Sequence, residues 1–332
     1  MNNIVKEISV KDMNGFKIGH AQDKDAMTGV TAIVFEDKAV AGVKISGGGP
    51  ASRETPLLDP KMACENINCL VLSGGSAFGL EAGAGAAKYL EEQGIGFDTG
   101  YAKVPLVCQS CIYDLSIGSS KVRPDVAMGY EACKNAHTSE EINDMQGNIG
   151  VGLGATVGKL KTMKNSMNSG FGMYGLQVGD LKVIAMVAVN ALGDIFDYDT
   201  GKKIAGMLND DRTEFEDCEL TMYKMALEGA AKNTEYTEYT ANTTIGTVIT
   251  NGNFSKAEMN KIANMATNAY GRCIKPVATT ADGDTVYAVS VGDVSCDINT
   301  VGVLATRTMG GAIKNAINNS TMDDKDYLKI VL

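Results

Sequence analysis

Tryptophan is absent from the 332-residue chain, histidine occurs twice and proline six times. Two histidines, His20 and His137, nearly rule out the zinc hydrolases, which bind their metal through two or three imidazoles. They also leave little material for a Ser-His-Asp triad, so a hydrolase built on this chain needs another base. Long apolar runs are missing too. The longest, residues 183–189, has seven residues, against the ~20 that span a bilayer. No Lys/Arg cluster stands out, and 30 basic against 40 acidic side chains give a net charge of −10. That argues against nucleic acid or anionic membrane as a partner, since both are held largely by lysine and arginine. The first residues lack the apolar core of a secretion signal, which predicts a soluble, cytoplasmic protein.

The eight cysteines are scattered. Cys108-Gln109-Ser110-Cys111 has redox or zinc spacing, but no second pair follows. Cytosolic thiols are usually reduced, and these read as structural, with neither metal nor cofactor implied.

Glycine, by contrast, is in excess: 38 residues, about 11% against a typical ~7%. The excess falls in islands between strand-like and helix-like segments. Residues 31–35 and 39–45 flank Glu36-Asp37-Lys38, which predicts a hairpin. A strand over 67–72 turns through Ser73-Gly74-Gly75-Ser76 into a helix over 77–93, stopped by Gly94. A glycine island covers 147–159, a buried strand 183–189 and a helix 212–231, and the polar stretch 232–241 reads as a linker. Then come a strand over 243–250 and a helix opened by the capping box Ser255-Lys256-Ala257-Glu258 and closed by Gly271. A strand over 285–291 and a last helix over 297–318 complete the pattern. Strands and helices mix without strict alternation, which favours layered α/β over a doubly wound nucleotide fold.

Three motifs invite chemistry. Gly74-Gly75-Ser76-Ala77-Phe78-Gly79 has the strand-turn-helix outline of a nucleophile elbow, but Phe78 stands where that motif needs glycine. Its ordinary reading is a tight turn whose backbone N–H groups can face a carboxylate. The island at 150–158 only partly mimics a dinucleotide fingerprint, and its P-loop likeness fails at Leu153 and Leu160. Asn242-Thr243-Thr244 sits where the polar linker meets a buried strand; alone, a threonine opening a strand is ordinary.

In combination these stretches resemble the self-processing L-aminopeptidase/D-esterase and β-aminopeptidase family, the DmpA/BapA type. The likeness rests on Gly19-His20, Thr28-Gly29, Gly47-Gly48-Gly49-Pro50 through Arg53-Glu54-Thr55, and Leu72 to Leu80. It continues through Val104-Pro105, Tyr113-Asp114-Leu115, Gly152 to Lys159, Val189-Asn190-Ala191, Asn242-Thr243-Thr244 and Asp282-Gly283-Asp284. Nearly the whole chain is covered, in the family's order.

The resemblance implies a four-layer αββα sandwich, an α/β fold shared with ornithine acetyltransferases. It implies one domain made from segments 1–242 and 243–332 by self-cleavage after Asn242. Thr243 then becomes an N-terminal nucleophile that carries its own base, an α-amine with pKa ~7.7–8.0. Such a cofactor-free enzyme removes N-terminal residues from short peptides, amides or esters through an acyl-Thr243 intermediate. The resemblance also implies a homo-oligomer, a tetramer, and an oxyanion-stabilising amide at Asn190. Tyr113 matches an active-site tyrosine, and the Gly74-Gly75-Ser76 turn is expected at the substrate. Asp282 and Asp284 stand where the β-aminopeptidase branch has Ser-x-Glu, which leaves the choice between α- and β-amino acids open; an Asp-Gly turn is their plainer reading. Two other functions fit the same sequence: an acyltransferase of the ornithine acetyltransferase type, and an uncleaved binding scaffold.

Overall fold

The computed structural model describes residues 4–37, 39–229 and 242–332. The strands of its two large sheets are labelled in chain order: β1 Lys6–Ile8, β2 Phe16–Asp23, β3 Thr28–Phe35, β4 Val40–Ile45, β5 Ser52–Arg53, β6 Cys69–Ser73, β7 Val107–Cys111, β8 Phe171–Val178, β9 Leu181–Asn190, β10 Thr243–Gly252 and β11 Thr285–Val294. One sheet runs β1-β8-β9-β10-β11-β4 and the other β2-β3-β6-β7-β5. Both are mainly antiparallel, with one parallel pair each, β10/β11 and β6/β7. Parallel neighbours need a crossover. Helices α4 (Lys256–Ala266) and α5 (Asn268–Cys273) lie in the first crossover, and α1 (Glu81–Glu92) in the second.

Side-chain alternation along the strands builds three apolar layers. On β9, Val183, Ala185, Val187 and Val189 face outward, against Met259 and Ile262 of α4 and Leu304, Met309 and Ile313 of α6 (Ile298–Asn318). Ile184, Met186 and Ala188 face the other way and meet Phe16, Ile18, Ile33, Leu70 and Leu72 of the second sheet. The far side of that sheet, including Val30, Ala32 and Val71, packs on α1 and α2 (Val126–His137). The order is therefore helices, sheet, sheet, helices: an αββα sandwich. Each fully buried Val, Leu or Ile contributes about 1.5–3 kcal/mol.

Several local expectations need correction. The hairpin around Glu36-Asp37 does not form, because β3 pairs with β2 and β6 whereas β4 pairs with β11 in the facing sheet. The short connection crosses the ~10 Å between packed sheets, within reach of four extended residues. Ile33, Phe35, Ala39 and Ala41 stay in the same inter-sheet layer throughout. Of the helix expected over 212–231, the described residues show α3, Cys218–Leu227, capped by Asp217. The linker at 232–241 lies outside the described residues. Gly271 sits inside α5 instead of ending a helix. Cys108 and Cys111 are three residues apart on β7, hence on opposite faces, and burial pushes both thiols up to about 12. No described helix is long and apolar enough to cross a membrane.

His20 on β2 is buried, with Nδ1 3.0 Å from Thr31 Oγ1, an edge contact to Phe171, and no partner for Nε2 among the described residues. Burial pushes its imidazolium down to about 4. The unfolded chain therefore binds more protons between pH ~4 and ~6.5, so this stabilisation is complete above ~6.5 and is lost as pH falls toward 4. Its full size is about 3 kcal/mol. Urea midpoints measured from pH 7.5 to 4.5 should fall more steeply for the wild type than for His20→Gln; parallel curves would contradict the assignment.

Candidate active site

β9 and β10 pair with Asn190 opposite Thr243, so the last residue of one strand meets the first of the next. Asn242 bridges to Asp282, just ahead of β11, and the Thr244 N–H donates to Asp284 Oδ1 at 2.6 Å. Residues separated by up to 94 positions in sequence thus converge at one end of three adjacent strands, and all six are buried. The Asn242 carbonyl oxygen accepts a hydrogen bond from the Gly283 N–H at 2.9 Å and a second from Thr243 Oγ1. The hydroxyl lies against the carbonyl of the peptide bond that precedes it.

Both carboxylates are held by backbone. Asp284 also accepts from Ala278 N–H at 2.9 Å, and Asp282 from Thr279 N–H at 2.8 Å and its hydroxyl at 2.6 Å. Burial pushes Asp284 up to about 7, the charge of Asp282 adds to the rise, and its two N–H donors oppose it. Burial raises Asp282 too, against its bonds to Thr279. A first glycine island, Ser46-Gly47-Gly48-Gly49-Pro50, packs on this turn: Ser46 and Gly49 donate to the Asp284 and Asp282 carbonyls at 2.9 and 2.8 Å. A Cβ at Gly47 would stand 2.2 Å from the Asp282 carbonyl oxygen, so glycine is required there.

Sequence reasoning misses Lys159. Its ammonium is buried and donates to both the carbonyl and Oδ1 of Asn190, each at 2.9 Å. Burial lowers it to about 7, while Asp282, Asp114 and Asp284 pull the other way. The preceding Gly158 has φ +73°, and a Cβ there would meet Met207 N at 2.1 Å. The available signal was a lysine at the end of a glycine-rich, apolar island, where a side chain has little surface to reach.

Thr156 also donates to Asn190 Oδ1, from N–H at 3.0 Å and from its hydroxyl at 3.3 Å. Three donors on one atom identify it as the amide oxygen, so Nδ2 points the opposite way and gives one proton to the Tyr113 carbonyl at 2.9 Å. Tyr113 therefore orients Asn190 through its backbone, and it lines, with Lys159 and Asn242, a cavity of about 470 Å³. The Gly74-Gly75-Ser76 turn is not part of that lining. Its three N–H groups donate to Gly29 O, Asp114 Oδ1 and Ile112 O at 2.9, 2.7 and 2.9 Å. The carboxylate this turn binds is thus the protein's own Asp114, which also accepts from Thr28 Oγ1 at 2.6 Å and is pushed up to about 6 by burial. The imidazole Nδ1 atoms meet Thr31 and, for His137, Tyr89, away from these groups.

Asn190→Ala should do two things at once. It removes an amide donor, which lowers kcat by about 10²–10³ if that donor faces the oxyanion. It also strips Lys159 of an acceptor, so thermal unfolding should shift down as well. Steady-state kinetics and melting on the same preparation test both; an active, equally stable variant would remove Asn190 from the site.

Comparison with known proteins bears on the same region. The model of peptidase family S58 matches residues 9–324. An uncharacterized aminopeptidase of Mycobacterium tuberculosis (strain H37Rv) is 34% identical over 300 residues, covering 86% of this chain and 82% of the relative. A 6-aminohexanoate-oligomer endohydrolase of Agromyces sp. is 30% identical over 318 residues, covering 92% and 84%. The crystal structure of the L-aminopeptidase D-Ala-esterase/amidase of Ochrobactrum anthropi, described as a variant of the Ntn-hydrolase fold, superposes with a TM-score of 0.69. It covers 97% of this chain and 93% of that one at 14% identity, a likeness of fold. The chain belongs to peptidase family S58, and is a hydrolase of peptide or amide bonds.

Proposed function

We propose that the protein cleaves itself between Asn242 and Thr243 and then works as an N-terminal-nucleophile aminopeptidase or amidase. The observation that carries this is the Thr243 hydroxyl lying on the Asn242 carbonyl, whose oxygen already has the Gly283 N–H. Oγ1 attacks the carbonyl carbon, and the Gly283 N–H stabilises the oxyanion. The C–N bond then breaks, its nitrogen taking a proton, to leave an Asn242 ester on Oγ1 and a free Thr243 amine. Water hydrolyses that ester. In later turnovers the same oxygen takes the substrate's acyl group, and either the new α-amine or Lys159 receives its proton. Asn190 supplies an amide donor, and Asp282 and Asp284 set the field around the bases. The name of the Agromyces relative extends the substrate class from peptides to other amide oligomers. Cytoplasmic location and homo-tetrameric assembly belong to the same proposal, on family resemblance.

Segments 1–242 and 243–332 would form one domain after cleavage, because β10 and β11 sit between β9 and β4. Denaturing conditions are thus needed to see the products. Scaling 35.0 kDa by 242/332 and 90/332 gives fragments of about 25.5 and 9.5 kDa. Intact mass should show both, with the small one beginning Thr-Thr-Ile-Gly, and Thr243→Ala should remain at 35.0 kDa without turnover. An active wild-type chain that stays whole would refute the nucleophile. A whole and inactive one would favour the scaffold, and transfer of the acyl group to an added amine in place of water would favour the acyltransferase.

The base must be neutral to accept the hydroxyl proton, so kcat/KM should rise with pH through a limb near or above 7. The charge of Asp284 favours the protonated form of that base. Asp284→Asn should therefore move the limb to lower pH, and a limb unchanged in that variant would make Asp284 a turn residue only.

A further inference from the structure

Beside the scissile bond lies the cavity of about 470 Å³, and its charged side chains are all lysines: Lys159, Lys161 and Lys164. No aspartate or glutamate is among the described residues that line it. In an acidic chain of net charge −10 such a pocket runs against the composition, and it raises the local concentration of anions. Lys159 serves Asn190. Lys161 pairs with Glu216 at 2.5 Å, both about one-third exposed, and Lys164 is exposed with no ion pair among the described residues.

The cavity belongs to the acyl side of the reaction. Asn242 lines it, and on the self-cleavage reading Asn242 is the first acyl group that Thr243 receives. Every later substrate must put its acyl carbon on the same oxygen, so its acyl side chain enters where Asn242 stands. Asparagine has the shape of aspartate, and the space beyond it holds a longer side chain. The carboxylates nearest the nucleophile, Asp282 and Asp284, are already bonded to Thr279, Thr244 and Ala278, so a cationic acyl side chain meets no aspartate or glutamate side chain among the described residues of the cavity wall. Resting on the nucleophile assignment above, we propose that this pocket selects acyl groups bearing a carboxylate, so that the preferred substrates are amides of acidic residues.

The test compares p-nitroanilides of glutamate, glutamine and lysine with the purified wild-type protein. Glutamate should exceed glutamine in kcat/KM by about two- to fivefold, the scale of exposed ion pairs. The ratio should shrink as salt is raised. Lys164→Glu should bring it to one or below and raise the lysine substrate, with Lys164→Gln as the milder variant should the charge reversal fold poorly. A wild-type ratio of one or less, or a ratio that neither variant moves, overturns the pocket assignment while leaving the nucleophile standing. No turnover of any substrate by a chain that remains at 35.0 kDa overturns the nucleophile and this inference with it.

Discussion

An ammonium group taken out of water has to find acceptors or give up its proton. Lys159 does some of each: Asn190 offers two oxygens at 2.9 Å, and burial still brings the lysine to about 7. The same contacts decide which way Asn190 faces, because an amide oxygen committed to Lys159 and Thr156 turns the amide nitrogen toward Tyr113. Asn190 ends β9, and the eight-pair register of β9 with β10 puts it opposite Thr243, so the lysine that orients Asn190 sits at the strand end that carries Thr243. A surface lysine would be hydrated and mobile, and could fix none of this.

Holding one ammonium and three carboxylates in a dry interior demands backbone close at hand, which accounts for the glycine islands. The first lets the chain lie on the Asp282–Asp284 turn, the turn at 74–75 gives an N–H to Asp114, and the third delivers Lys159. The usual alternative, bulkier side chains with larger separations, would leave these charges without donors. Burial also raises the carboxylates toward neutrality, so the cluster carries less charge than its composition suggests.

The layers were legible because they follow from local pattern. Residues 183–189 are apolar without a break, as a strand buried on both faces must be, and Ser255 and Asp297 cap their helices as their neighbours indicate. The Glu36-Asp37 connection was not, since two apolar strands with a short polar joint read alike whether they pair or face each other across a core. Helix α2 escaped for another reason. Its buried face is Gly129, Ala132, Cys133 and Ala136, spaced correctly but too small to mark a helix by hydrophobicity. At the site, no local pattern links Asn190, Thr243 and Asp282. Family resemblance brought them together, whereas Lys159 had no motif of its own and became visible only through its burial.

Self-cleavage, on the reading proposed above, would change the electrostatics of the site that performs it. Before cleavage the Thr243 nitrogen is a peptide N–H and the local titrating groups are Lys159 and Asp284 at about 7 and Asp114 at about 6, with Asp282 raised beside them. Afterwards an α-amine of ordinary pKa ~7.7–8.0 is added among them. Groups so close share their protons, and their titration steps belong to the cluster more than to any member. A proton on the new amine holds Asp284 ionised, and an ionised Asp284 in turn keeps Lys159 charged. Burial acts in the opposite sense on every member. On that reading the base of the mature enzyme would be whichever nitrogen loses its proton more readily, and for Lys159 burial outweighs both its ordinary basicity and the opposing pull of Asp282, Asp114 and Asp284.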